Sequence, residues 1–362
     1  KQLSLEVEKR GGVLNAGTGH DTTSFYIRMP SVSNSTALKF LAEIFFHPAF
    51  PQKELDKERN VVIEEIHQIE DDPFQKLFTV GLKDVFGSHP LGRPIIGYEE
   101  NIRKCTREQL MSYYHRFYTP TNSVLSIAGG LWKDAAECDA FLKDISTYFF
   151  NHTPENDTGY EFATAKRVKA KAAKNIRKVH TKDGLAQSYF FVTLPGLERS
   201  LYDGFEIDVY EKIVGQGMSS RLFQRVREKL GLCYHVAGFN YQFNPKDALF
   251  VAYGSSKANP ERAIQAIMEE LKNSLSTITK KEVQDGVTAV LGKYYIDLDS
   301  VHHIANMNGS DILDFNQIRD HEKTKKLISE VTLDSLNKFM NKLWSSFKPT
   351  VVILTDSNST AE

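Results

Sequence analysis

Cysteine is scarce in this sequence. Cys105, Cys138 and Cys233 are the only three among 362 residues, odd in number and far apart. That excludes a disulfide framework and a zinc ribbon and suits a reducing, cytoplasmic compartment. Neither sign of charge is in excess: 45 Lys and Arg against 46 Asp and Glu leave a net charge of −1. There is therefore no general electrostatic case for nucleic acid or an anionic membrane as partner. No apolar run approaches the ~20 residues of a membrane span. The eleven histidines include no pair at i, i+3 or i, i+4, the spacings that place two imidazoles on one helix face. His302 and His303 are adjacent and would point apart on a helix, and His67 falls on the polar side of its own. A methionine is also missing at the start, so any targeting segment upstream of Lys1 falls outside what can be read.

What is present is enough chain for two domains of ordinary size. Residues 11–30 read as two extended pieces around a polar turn, followed by a helix over roughly 35–46 and a second helix ending at Asp71-Asp72-Pro73. "NSVLSIAGG" (122–130) reads as a buried strand, and a helix then runs to about Phe150. The polar stretch at 151–175 reads as a linker. After it the pattern restarts, with strands in "IRKVHT", "AQSYFFVTLPG", "YHVAGFNYQF", "DALFVAYGSS" and "PTVVILTD", and helices from about Leu201, Asn259 and Lys280. Strands and helices without a regular βαβ alternation indicate α+β layers, a sheet with helices on one face.

The halves echo each other. "EKRGG" at Glu8 returns as "EKLGL" at Glu228, and "FPQKELDKERNVVIEEI" returns as "ITKKEVQDGVTAVLGKY". Lys174 and Glu228 are 54 positions apart, whereas seven residues precede Glu8. By the repeat, the first domain (1–150) lacks about 47 residues that the second (176–362) has, two strands and a helix.

In "KERNVVIEEIHQIEDDP" (57–73) the apolar residues Leu55, Val61, Val62, Ile66 and Ile69 fall on one helical arc, and Glu58 and Glu65 fall inside it. An edge glutamate can reach water. Otherwise inward carboxylates need something positive facing them: an arginine, a lysine or a metal. Glu58 aligns with Gly286 and Glu65 with Lys293 in the second copy, so the repeated scaffold does not require the pair.

Together "GGVLNAGTGHDTT", "ERNVVIEEIHQIEDDP", "LGRPIIGYEENI", "NSVLSIAGG" and "GMSSRLFQRVREKLGLCY" resemble the M16 (pitrilysin- or insulinase-like) zinc peptidases, in the small bacterial two-domain form related to mitochondrial processing peptidase. The resemblance implies an α+β fold of two similar domains, each an antiparallel-rich sheet with helices packed on one face, facing each other across a chamber, and hydrolysis of peptides or unfolded protein within it. It also implies Zn2+ as cofactor and a homodimer. By the resemblance Glu65 is the third zinc ligand and Glu58 a supporting catalytic acid. By the same resemblance Arg227 and Tyr234 are expected to bind the substrate backbone and stabilise the tetrahedral intermediate. The strand at Asn15-Ala16 is, by the resemblance, an exposed edge that an extended peptide joins. The family's H-x-x-E-H motif, which supplies two histidine ligands and the general-base glutamate, is absent from these 362 residues. The expectation is that an upstream segment carries it and that this chain alone is inactive. The alternative is a non-catalytic M16-like subunit or peptide-binding partner of an active peptidase.

Overall fold

The computed structural model describes residues 2–150, 175–196, 198–257, 259–345 and 347–358. The first half runs α1 (Gln2–Glu8), β1 (Val13–Thr18), β2 (Thr23–Arg28), α2 (Asn34–Phe46), α3 (Gln52–Asp71), α4 (Pro73–Phe86), α5 (Glu99–Lys104), α6 (Arg107–Phe117) and α7 (Ala135–Ile145). The second runs β3 (Arg177–Thr181), β4 (Ser188–Pro195), α8 (Phe205–Val214), β5 (His235–Asn244), β6 (Asp247–Ser256), α9 (Pro260–Thr277), α10 (Lys280–Leu298), α11 (Val301–Phe315), α12 (His321–Ser329), α13 (Leu333–Leu343) and β7 (Thr350–Thr355). From the hairpin onward the two halves run in the same order, a hairpin and then five helices (α2–α6 and α9–α13), after which the first half adds α7 and the second ends in β7. Thr106 and Thr332 both close a capping box, at the starts of α6 and α13, where reciprocal side-chain bonds satisfy the orphan amides of the first turn. Except for Asn175, the linker expected at 151–175 lies outside the described residues.

The chain forms two compact units that are not contiguous halves. One takes the described residues of Lys1–Glu64, Gly97–Arg167 and Asp297–Ile318; the other takes those of Glu65–Ile96, Val168–Ile296 and Arg319–Glu362. Thus α4, from the first half, belongs to the second unit, and α11, from the second half, belongs to the first. Sequence periodicity did not single out either helix. The Asp-Asp-Pro read as a helix end also begins α4. Asp72 accepts the Gln75 amide at 2.8 Å, and Pro73 stands where its missing N–H costs nothing.

The second unit is built on a five-stranded sheet of order β3-β7-β4-β6-β5, with only β3–β7 parallel. Alternate residues of a strand face opposite sides, and here both sides are covered. Phe190, Val192, Phe250, Ala252, Val351 and Ile353 pack on α8, α9 and α13. At the centre of that layer Tyr210 is fully buried, its hydroxyl 2.6 Å from that of Ser274. On the other side Phe191, Val251, Val352 and Leu354 pack on Leu77, Val85 and Phe86 of α4. Gly81 of α4 lies flat on the Phe191 ring, where a Cβ would overlap it.

In the first unit the described sheet is the β1–β2 hairpin, in register from Val13↔Arg28 to Thr18↔Thr23. Leu38, Ala42, Ile63, Tyr114 and Phe141 are buried, and the Tyr114 hydroxyl donates to the Phe45 carbonyl at 2.6 Å. The strand expected at 122–130 is not formed. Residues 123–128 are irregular and half-buried. The counterpart in the repeat, β7, has β3 and β4 on its two sides, and no described strand of the first unit takes either place. A strand without a ladder partner leaves its backbone groups to other bonds. The segment packs on α11 instead, with Ser126 Oγ donating to the Ala305 carbonyl at 2.7 Å.

Candidate functional site

Helix α3 places Glu58 and Glu65 by its 3.6-residue turn. Its buried stripe is Leu55, Val62, Ile63, Ile66 and Ile69, with Ile63 the deepest. Arg59 lies on the same stripe. Its guanidinium donates to the Ile102 and Cys105 carbonyls at 3.2 and 2.9 Å and to Asp56 at 2.8 Å. Glu58, Val61 and Glu65 form the adjacent stripe, and all three are exposed. The expected inward placement of the two glutamates is therefore corrected: they share a face, but it is an open one. Neither makes a hydrogen bond or an ion pair among the described residues.

Helix α10 shows what covers the same stripe in the other copy. Gly286, aligned with Glu58, is buried, and a Cβ there would press on Val209 and Ile213 of α8 at 3.1 Å. The first half has no counterpart of α8 among its described residues, so its stripe stays open to solvent.

Arg227 sits on a π-helical stretch, Phe223–Lys229. That helix ends at Gly231, whose φ of +60° suits glycine. The Gly231 and Leu232 amides donate back to the Arg227 and Val226 carbonyls, each at 3.0 Å. The chain then reverses and brings Tyr234 beside Arg227. The guanidinium lies over both the Phe223 ring, at 4.6 Å, and the Tyr234 ring, at 4.9 Å, an arrangement that fixes a cation by attraction to aromatic faces. Glu228 approaches only to 3.6 Å, and Tyr234 is 80 % exposed. Nearby Arg221 and Arg225, by contrast, are taken up by structural bonds to Glu282, Glu270 and Glu269.

His235 was missed in the sequence reading, although it directly follows Tyr234. Its Nε2 is 3.1 Å from the Tyr253 hydroxyl, and its ring packs against Phe74 of α4. Burial, aided by the charge of Arg227, lowers its pKa below the ordinary imidazole value. Asn15 and Ala16 are exposed on β1, one edge of the hairpin. The Ala16 N–H bonds the side chain of Asn15 at 2.8 Å.

Zinc needs about three protein donors, commonly histidine nitrogen with carboxylate oxygen. Among the described residues no group of three or more His, Cys, Asp and Glu side chains is gathered to hold a metal ion. Glu65 offers one oxygen on an accessible face. The residues in hand do not by themselves fit the ion.

Residues 1–99 match the model of the insulinase family (peptidase family M16), and residues 104–290 match that of the peptidase M16 inactive domain. The chain belongs to the M16 peptidase family. It is 29% identical over 95% of its length to an uncharacterised zinc protease of Bacillus subtilis, YmxG, of which it covers 81%. It is 27% identical over 98% of its length to an uncharacterised zinc protease of Rickettsia felis, of which it covers 82%. Among solved structures, a protease from Helicobacter pylori superposes with a TM-score of 0.82 at 18% identity, over 97% of this chain and 84% of that one. A peptidase M16 inactive domain from Pseudomonas fluorescens superposes with a TM-score of 0.80 at 19% identity, over 98% and 84%. At such identities these likenesses speak for the M16 fold. No described helix of this M16 chain is long and apolar enough to cross a membrane.

Proposed function

We propose that this chain forms the greater part of a zinc-dependent endopeptidase or oligopeptidase, acting as a homodimer on extended peptides. The observation that carries the reading is the presentation of Arg227 and Tyr234. A cation and a phenol are held together by ring stacking, the phenol exposed, while neighbouring arginines are committed to structural bonds. Such a pair suits a substrate carbonyl that gains negative charge. Both groups donate, and donors aimed at a developing oxyanion lower the barrier more than they strengthen ground-state binding.

In this reading the β1 edge at Asn15-Ala16 receives the peptide backbone. The Asn15 side chain holds the Ala16 N–H until a substrate carbonyl replaces it. Glu65 supplies one zinc ligand and Glu58 supports the site from the same stripe, with two nitrogen donors coming from residues outside these 362. Zinc in a completed site would supply a bound water of lowered pKa.

The test uses the chain joined to the residues that precede it in the full protein. One zinc per chain is expected, with cleavage of an unstructured peptide that a chelator abolishes and added zinc restores. A full-length protein that binds no zinc and leaves peptides intact would overturn the reading. The 362-residue chain alone is expected to cut nothing.

A further inference from the structure

The β1 edge has a counterpart in the other copy, and that counterpart is closed. Among the described residues β5 is the terminal strand of the second unit's sheet, with β6 on one side and no strand on the other. In an antiparallel pair, successive amides point alternately toward the partner and away from it. Two outward amides of β5 are met by the chain itself. Gly238 N–H donates to the Gly215 carbonyl at 3.0 Å, and Asn240 N–H donates to Glu211 Oε2 at 3.0 Å. We propose that β5 is a second strand-pairing edge for extended polypeptide, held shut by the Gly215 carbonyl and the Glu211 carboxylate, which occupy the places that a pairing strand's carbonyls would take.

The closure is built from glycine and from a half-buried acid. Gly215, just past the end of α8, lies so close to Gly238 that a Cβ at Gly215 would collide with the Gly238 backbone. Only a glycine lets a helix end lie this near a strand. Glu211, on the last turn of α8, also accepts from Gln216 Nε2 of the following loop. Its surroundings do not favour a carboxylate. Burial raises its pKa to about 7 and Asp208 adds to the effect, while the Asn240 amide, Arg199 and Gln216 oppose it only in part. An acid in an unfavourable place, with an edge amide among its donors, is what closure requires and what packing alone would replace with an apolar residue. An open edge invites pairing with any extended chain. On β1 the corresponding cover is one neighbouring side chain, Asn15, which can swing aside. Backbone pairing is thereby confined to one copy of the repeat. This deepens the peptide-binding reading of β1 and rests on it.

The experiment is residue-resolved amide hydrogen exchange on the chain and on three variants. Glu211→Ala removes the acceptor. Glu211→Asp, one methylene shorter, keeps a carboxylate and loses its reach. Glu211→Gln keeps an acceptor at the same reach. The amide of Asn240 should exchange about tenfold faster in the Ala and Asp variants and near the parent rate in Gln, while that of Gly238, held by the Gly215 carbonyl, keeps the parent rate in all three. The inward amides of Phe239 and Tyr241 should be unchanged in all three. A fluorescent peptide copying Val236–Gln242 should bind the Ala and Asp variants and not the parent. Equal acceleration of outward and inward amides would mean general loosening and overturn the proposal, as would unchanged exchange in both Ala and Asp. The β1 amides report separately, so a failure of β1 to bind peptide is read apart from a failure of β5 to open.

Discussion

Tyr234 separates a functional role from a structural one. At 80 % exposure it buries little, so Tyr234→Phe should leave the melting temperature near that of the parent. On the peptidase reading proposed above, the same change should lower kcat by on the order of 10²–10³ with KM little altered and zinc content the same. An unaltered kcat would remove the residue from the site. Arg227→Ala should raise KM and lower kcat together, because it removes a charge as well as a donor. Two glutamates set opposite slopes in stability against pH. Burial raises the Glu211 pKa from its ordinary 4.5 to about 7, so the folded state holds the proton more tightly. Its favourable contribution is complete below about 4.5 and is lost as pH rises to about 7. The Arg221 guanidinium, bonded to Glu282, lowers that carboxyl from 4.5 to about 2. Its contribution is complete above about 4.5 and is lost as pH falls toward 2. Urea titrations from pH 3 to 8 should therefore show Glu211→Gln flattening the decline toward neutral pH, and Glu282→Gln removing part of the decline in acid.

At the scale of elements, α3 carries both structure and candidate chemistry, on different stripes. Ile63→Ala should destabilise the fold by about 2–5 kcal/mol in urea unfolding. Glu65→Gln should stay within about 0.5 kcal/mol, while in the full-length protein it should lose zinc. Full zinc occupancy in that variant would sink the ligand assignment. The error in placing Glu58 and Glu65 has a clear origin. Apolar residues alone define an arc that Val61 stretches across both glutamates, yet Val61 is 49% exposed. The true centre lies toward Ile63 and Arg59, and Arg59 was passed over because it is charged, although its head bonds two carbonyls. That the glutamates share a face was legible from their spacing. Which way the face looks depends on the helix that covers it, and local sequence does not state that. The hairpins and β7 were legible because each alternates or runs apolar between turn residues. The strand at 122–130 was read from composition alone, but a strand exists through its partners. The α4 face is testable in the same way as α3. Leu77→Ala should cost about 2–5 kcal/mol, and Gly81→Ala about 1–3 kcal/mol through overlap with Phe191.

At the scale of the whole molecule, the repeat in the sequence correctly anticipates the repeated order of elements but not how they are shared out. The second unit completes its sheet with α4, and the first takes α11. Separate polypeptides of 1–150 and 176–362 should therefore each expose an apolar surface, the Leu77–Phe86 face in one and its Phe191–Val352 complement in the other. Each alone should bind a hydrophobic dye, and mixing should suppress that signal as the pair recovers urea-resistant structure. Two independently stable halves would contradict this account of the packing.

The exchange also sets a schedule. Helix α4 is made well before β7, which supplies Val352 and Leu354 to its bed. At about 5–20 residues per second, the intervening chain takes on the order of tens of seconds to synthesise. Throughout that interval Leu77, Val85 and Phe86 have no finished surface to lie on. Until β7 is made, the nascent chain therefore carries an apolar helix face without the whole of its bed.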